Sequence, residues 1–104
     1  MKVFSHIGIP TTRQRDGETH LEGGGVYITD FESHPNRIEW LRFEESSPLP
    51  EVLKTVAHVA FEVDDLDAAL QGNDILIEPF EPMEGLRVAF IMDDGAPIEF
   101  MQKI

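Results

Sequence analysis

The sequence predicts a small α+β domain built from two similar halves, and three observations carry that reading. Runs of β-branched and aromatic residues recur along the chain, each closed by Gly, Pro, Asn or Asp, which is the signature of short strands. Only one segment has the spacing of an amphipathic helix. The front and back halves also rhyme: His6-Ile7-Gly8-Ile9 and Ile38-Glu39-Trp40 in the first, His58-Val59-Ala60-Phe61 and Ile98-Glu99-Phe100 in the second. At 104 residues there is room for one hydrophobic core, and an apolar fraction of 41% is enough to fill it.

Taken in order, Val3 to Ile9 reads as a strand closed by Gly8 and Pro10. Thr11 to Gly25 is polar, lacks a helical period and ends in three glycines, so it reads as a loop or irregular crossover. Gly25 to Phe31 and Arg37 to Phe43 read as a hairpin around His34-Pro35-Asn36. Residues 44–54, with Ser46-Ser47-Pro48 and Pro50, form the one linker-like stretch. It divides module one, residues 1–43, from module two, residues 55–104. Thr55 to Val63 is the next strand. Asp64 offers a helix N-cap, and Val63, Leu66, Ala69 and Leu70 make one apolar face, giving a short helix over Asp65 to Gln71. Ile75 to Phe80, bounded by Pro79 and Pro82, reads as an edge strand. Leu86 to Met92 and Pro97 to Gln102 close the chain as a hairpin through Asp93-Asp94-Gly95. The expected architecture is about eight short strands in one curved sheet, with no full helix in module one.

Charge and composition restrict the function. Eight Lys plus Arg stand against twenty Asp plus Glu, a formal charge of −12. Such a surface repels phosphate backbones and offers no basic cluster, so nucleic-acid binding is not expected. The N-terminus lacks a signal-peptide pattern and no apolar run is long enough to span a bilayer. The expectation is therefore a cytoplasmic protein without a membrane partner. Without cysteine, any metal must be held by imidazole and carboxylate.

The repeat singles out four residues. His6 and His58 stand on the first strand of each half, and Glu39 and Glu99 on the last, 33 and 41 residues further on. Side chains alternate across a strand, so His58 and Ala60 share one face while Ala57, Val59, Phe61 and Val63 share the packed one. The same parity sets Glu39 against Ile38 and Trp40, and Glu99 against Ile98 and Phe100. A carboxylate placed so among apolar neighbours is costly to bury unless paired or coordinated. Two imidazoles and two carboxylates suit one divalent ion of Zn, Ni, Fe, Mn or Co. His20 and His34 have no repeat partners and are left out. Arg13, Arg15 and Arg87 are candidates for an anionic group, although surface arginines usually serve only solvation.

These segments resemble the vicinal oxygen chelate superfamily, which includes glyoxalase I, bleomycin-resistance proteins, methylmalonyl-CoA epimerase and extradiol dioxygenases. The resemblance rests on His6-Ile7-Gly8, Asn36-Arg37-Ile38-Glu39, the stretch from His58 to Leu66, and Asp93 to Glu99. It implies two βαβββ modules forming a cupped mixed sheet, here with the first-module helix reduced or absent. It also implies a metal held by His6, Glu39, His58 and Glu99, a pattern similar to that of glyoxalase I. The implied activity is that of a lyase or isomerase moving a proton through a metal-stabilised enediolate, with Glu99 or Glu39 as base. Metal-free sequestration of a small molecule, as in bleomycin resistance, and extradiol oxygenation are the alternatives. Pro10 and Phe43 replace the basic and polar residues with which glyoxalase I binds glutathione, so a glutathione adduct is not expected. The expected partner is a small-molecule substrate or ligand, and the expected assembly a homodimer.

Overall fold

The computed structural model describes residues 1–104 as one eight-stranded mixed sheet, curled into a half-barrel with few helices. The elements are β1 (Lys2–Pro10), β2 (Thr19–Leu21), β3 (Val26–Ile28), β4 (Ile38–Phe43), α1 (Glu51–Thr55), β5 (His58–Val63), α2 (Leu66–Leu70), β6 (Asp74–Met83), β7 (Leu86–Asp93) and β8 (Ala96–Lys103). Their order across the sheet is β2-β3-β4-β1-β5-β8-β7-β6. Each half thus repeats one plan: its first strand runs parallel to its last, and the two strands between them extend outward as an antiparallel meander. The halves meet where β1 pairs antiparallel with β5.

In module two the local chemistry and the structure agree closely. The turn between β7 and β8 is the two residues Asp94 and Gly95, both at positive φ (51° and 86°). Only such a mirror-image turn follows the twist of the strands it joins, which explains Asp-Gly there. α2 is capped by Asp65, whose side chain accepts from the Ala68 amide at 3.1 Å; Asp64 instead meets the N-terminal amine. The helix lays Leu66 and Leu70 on Val63, Ala89, Ile91 and Phe100, forming a core on the convex side of the sheet. A second core lies on the concave side, where Leu53 packs with Ala60, Val88, Phe90 and Met101. β6 is an edge strand as expected, but it runs through Pro79 and Pro82, with irregular register against β7.

Module one departs from the sequence expectations in detail. The crossover from Thr11 to Gly25 contains no α-helix, yet Thr19–Leu21 pairs with β3 as a short strand before a 3₁₀ turn at Glu22–Gly24. The strand expected to reach Phe31 stops at Ile28, because Asp30 caps a second 3₁₀ turn over Phe31–Ser33. The linker holds α1, whose Leu53 is buried, and β5 consequently begins at His58 and not at Thr55. Ala57, expected on the packed face, precedes the strand and is exposed. No helix covers the convex side of this half; the Arg15 guanidinium lies there over the Trp40 ring at 3.9 Å.

Candidate metal centre

Strand register alone brings the four repeated residues together. Gly8 is paired with Glu39 on one side and His58 on the other, while Ala60 is paired with His6 and Glu99. Paired residues share a face, so both imidazoles and both carboxylates point into the concavity from the four central strands. The fit is tight at one place. A Cβ on Gly8 would come closer than 3.0 Å to three atoms of the His58 ring, so the ring can lie over that strand only because position 8 is glycine.

The four side chains converge on the floor of the cup. His58 Nε2 donates to Glu99 Oε1 at 3.0 Å, and His6 Nε2 lies 3.5 Å from Glu99 Oε1 and 3.6 Å from Glu39 Oε1. His6 and His58 are almost wholly buried, and Glu99 nearly so. Ser5 Oγ meets His6 Nδ1 at 3.0 Å and so fixes the ring's orientation. Phe31 stacks on the His6 ring with centroids 4.1 Å apart, and the Phe90 and His58 rings meet nearly at right angles with centroids 5.2 Å apart. Burial would push the His6 pKa down, but the adjacent Glu39 and Glu99 carboxylates outweigh it and raise it from 6.5 to about 9. Burial opposes the Glu99 charge too, and His58 and His6 overcome it, holding that carboxyl well below the usual range.

The donor set fits a divalent ion. His6 Nε2 is fully buried, faces two carboxylates and has no hydrogen-bond partner. Donor atoms of His6, Glu39 and His58 lie within 4.8 Å of one another, and Glu99 reaches both imidazoles. Ligands about 2.1 Å from an ion stand roughly 3 to 4 Å apart, so small rotations would close the set. Nitrogen and carboxylate donors without thiolate match Zn, Ni, Fe, Mn or Co.

Around this floor the cup encloses about 1160 Å³. Its walls are largely apolar, from Leu41, Phe43, Leu53, Phe80, Val88 and Phe90 among others. Ser5, Gly8 and Phe31 were not apparent from the sequence as parts of the site; their roles come from neighbours on other strands, which carry no local pattern. None of Arg13, Arg15 and Arg87 lines the cup; Arg87 binds Asp67 in the first turn of α2. His20 pairs with Glu44 and His34 accepts from the Asn36 amide, both away from the centre.

The chain matches no family model and no curated protein. Among the solved structures that resemble it are two of nearly full coverage. A hypothetical protein from Bacillus halodurans C-125 is 24% identical over 99% of this chain and 95% of its own, with a TM-score of 0.76. A methylmalonyl-CoA epimerase from Mycobacterium tuberculosis is 19% identical over 98% of this chain and 88% of its own, with a TM-score of 0.69. At these identities the likeness concerns the fold alone, an α+β fold of the glyoxalase-like kind. Within it, this chain carries a buried His/Glu group that could hold a metal.

Proposed function

We propose that the protein is a metal-dependent lyase or isomerase that moves a proton between neighbouring carbons of a small oxygenated molecule. The observation that carries this reading is the meeting of both imidazoles and both carboxylates on one buried floor beneath an apolar cup. His6, Glu39, His58 and Glu99 would hold the ion. When bound, the ion supplies Lewis acidity to substrate oxygens. The apolar walls exclude water and strengthen every charge on the floor. Glu99, ionised by its two imidazole neighbours, is the principal base, and Glu39 is the second carboxylate of the set. An isomerase among the structural neighbours supports the reading at the level of the fold. The substrate in that neighbour's name is not carried over, because a CoA ester brings several phosphate charges and no arginine lines this cup.

Elemental analysis of protein purified without chelator tests the metal, and exchange of a substrate carbon-bound proton with deuterium tests the chemistry. About one equivalent of divalent metal is expected, together with loss of exchange in Glu99→Gln and retention of metal with partial exchange in Glu39→Gln. Full exchange in Glu99→Gln with loss in Glu39→Gln would reverse the roles of the two glutamates.

A second reading has its own support in the size and apolarity of the cup, which suit sequestration of a planar ligand without metal. Ligand affinity unchanged by complete metal removal would favour it. Extradiol oxygenation is less well supported, since Glu39 adds a second carboxylate to the two His and one Glu of that chemistry.

A further inference from the structure

We infer that the cup selects molecules with an apolar body and a positively charged tail, and rejects those with an anionic tail. The inference rests on the cup being the ligand site proposed above. Its body preference follows from the walls. Its charge preference follows from the mouth, where Asp30, Glu32, Glu78 and Glu81 all line the cavity and all four are exposed. Asp30 is held ionised by the hydrogen bonds it accepts from Ser33 and from the Glu32 amide. These carboxylates come from both modules: two lie in and before the 3₁₀ turn at Phe31–Ser33, and two on edge strand β6.

A single cation on the wall stands against these four carboxylates. The one lysine or arginine that lines the cup is Lys103, and its ammonium lies 3.7 Å from the carboxylate of Glu62, which is not itself a lining residue. The floor does not attract an anion either. Glu39 and Glu99 balance a divalent ion when it is bound. Without it, the floor presents two carboxylates beside two imidazoles. An apolar ligand is therefore drawn in by its body and sorted by its tail. The low-dielectric walls of a cleft focus such a field and extend its reach.

The test uses three naphthalenes that differ only in the tail: 1-naphthylmethylammonium, 1-naphthylmethanol and 1-naphthoate. None offers vicinal oxygens, and each is titrated into metal-free protein by calorimetry, so the outcome does not depend on the metal reading. At about 0.01 M ionic strength the ammonium should bind on the order of tenfold tighter than the carboxylate, with the alcohol between them; at about 1 M, where the Debye length falls to about 3 Å, the gap should close. Combined Glu32→Gln, Glu78→Gln and Glu81→Gln should close it at low salt as well. Equal or tighter binding of 1-naphthoate at low salt overturns the inference, as does a ranking that survives high salt or the triple substitution. Failure of all three probes to bind overturns the cup as an apolar site.

Discussion

His6 and His58 occupy equivalent positions in the two halves, yet their second nitrogens are held differently. Ser5 Oγ hydrogen-bonds His6 Nδ1, whereas His58 Nδ1 is buried without a partner and the ring is confined by Gly8 and Phe90. Partners of this kind set ring orientation and tautomer for metal ligation. Ser5→Ala should weaken metal binding by about tenfold or more while leaving the fold intact, and Ser5→Thr should restore most of it. Gly8→Ala should do more damage, because the new methyl overlaps the His58 ring; about 1–3 kcal/mol of stability should be lost along with metal affinity. Calorimetric metal titration beside thermal melts separates the two variants, and wild-type metal affinity in Gly8→Ala would show that the ring tolerates displacement. That His6, Glu39, His58 and Glu99 would face one side together was readable from the sequence because each is repeated at a fixed strand parity. Ser5 and Gly8 were not, since their importance depends on which strand lies beside β1.

Among the elements, α2 and the β7–β8 hairpin were the most legible. Apolar spacing, an aspartate cap and an Asp-Gly turn all agree there with the final structure. The cap is Asp65, one residue later than Asp64, because only Asp65 reaches the Ala68 amide. Asp65→Ala should cost about 1 kcal/mol, since it strips a partner from the exposed helix start. For a chain of this size that is a fall of about 4–8 °C in the melting midpoint; an unchanged midpoint would mean the cap contributes nothing. β2 and α1 were hidden for a physical reason. Three and five residues are too few to establish a period, and both elements are stabilised by what they pack on. Leu53 makes the point, because its burial depends on Ala60 and Val88, which arrive from another part of the chain.

For the whole molecule, the buried charges make stability and metal uptake respond to pH in opposite ways. His6 has its pKa raised from 6.5 to about 9, so its contribution to the metal-free fold is complete below 6.5 and is lost as pH rises through 9. The Glu99 pKa is lowered from 4.5, so its contribution is present above 4.5 and is lost on further acidification. Metal-free protein should therefore be most stable between 4.5 and 6.5. Metal must displace the His6 proton, so its affinity should climb up to about tenfold per pH unit until that proton is gone. Denaturation midpoints and metal titrations across this range check both statements; an affinity flat between pH 6.5 and 9 would contradict the charge assignment. The overall plan followed from the repeat, while the depth and apolarity of the cup did not. Both faces of the sheet in module two are packed, so strand alternation marked two sides without saying which one enclosed a cavity.

The seam between β1 and β5 has a further consequence, for rates. It joins Lys2 to Val63 and Gly8 to His58, pairings far less local than the hairpin contacts within each half. Closing so long a loop is entropically expensive until enough contacts form, and such pairings slow folding. If each half gathers before the seam closes, the full ligand set is absent from the folding transition state. Metal then acts after the barrier: it should leave the refolding rate nearly unchanged and slow unfolding. At free metal one hundred times its dissociation constant, the added stability of about 2.7 kcal/mol should appear as a roughly hundredfold slower unfolding arm. Stopped-flow folding and unfolding with and without zinc measures both arms. Refolding accelerated by that same factor would place the seam, and with it the assembled site, before the barrier.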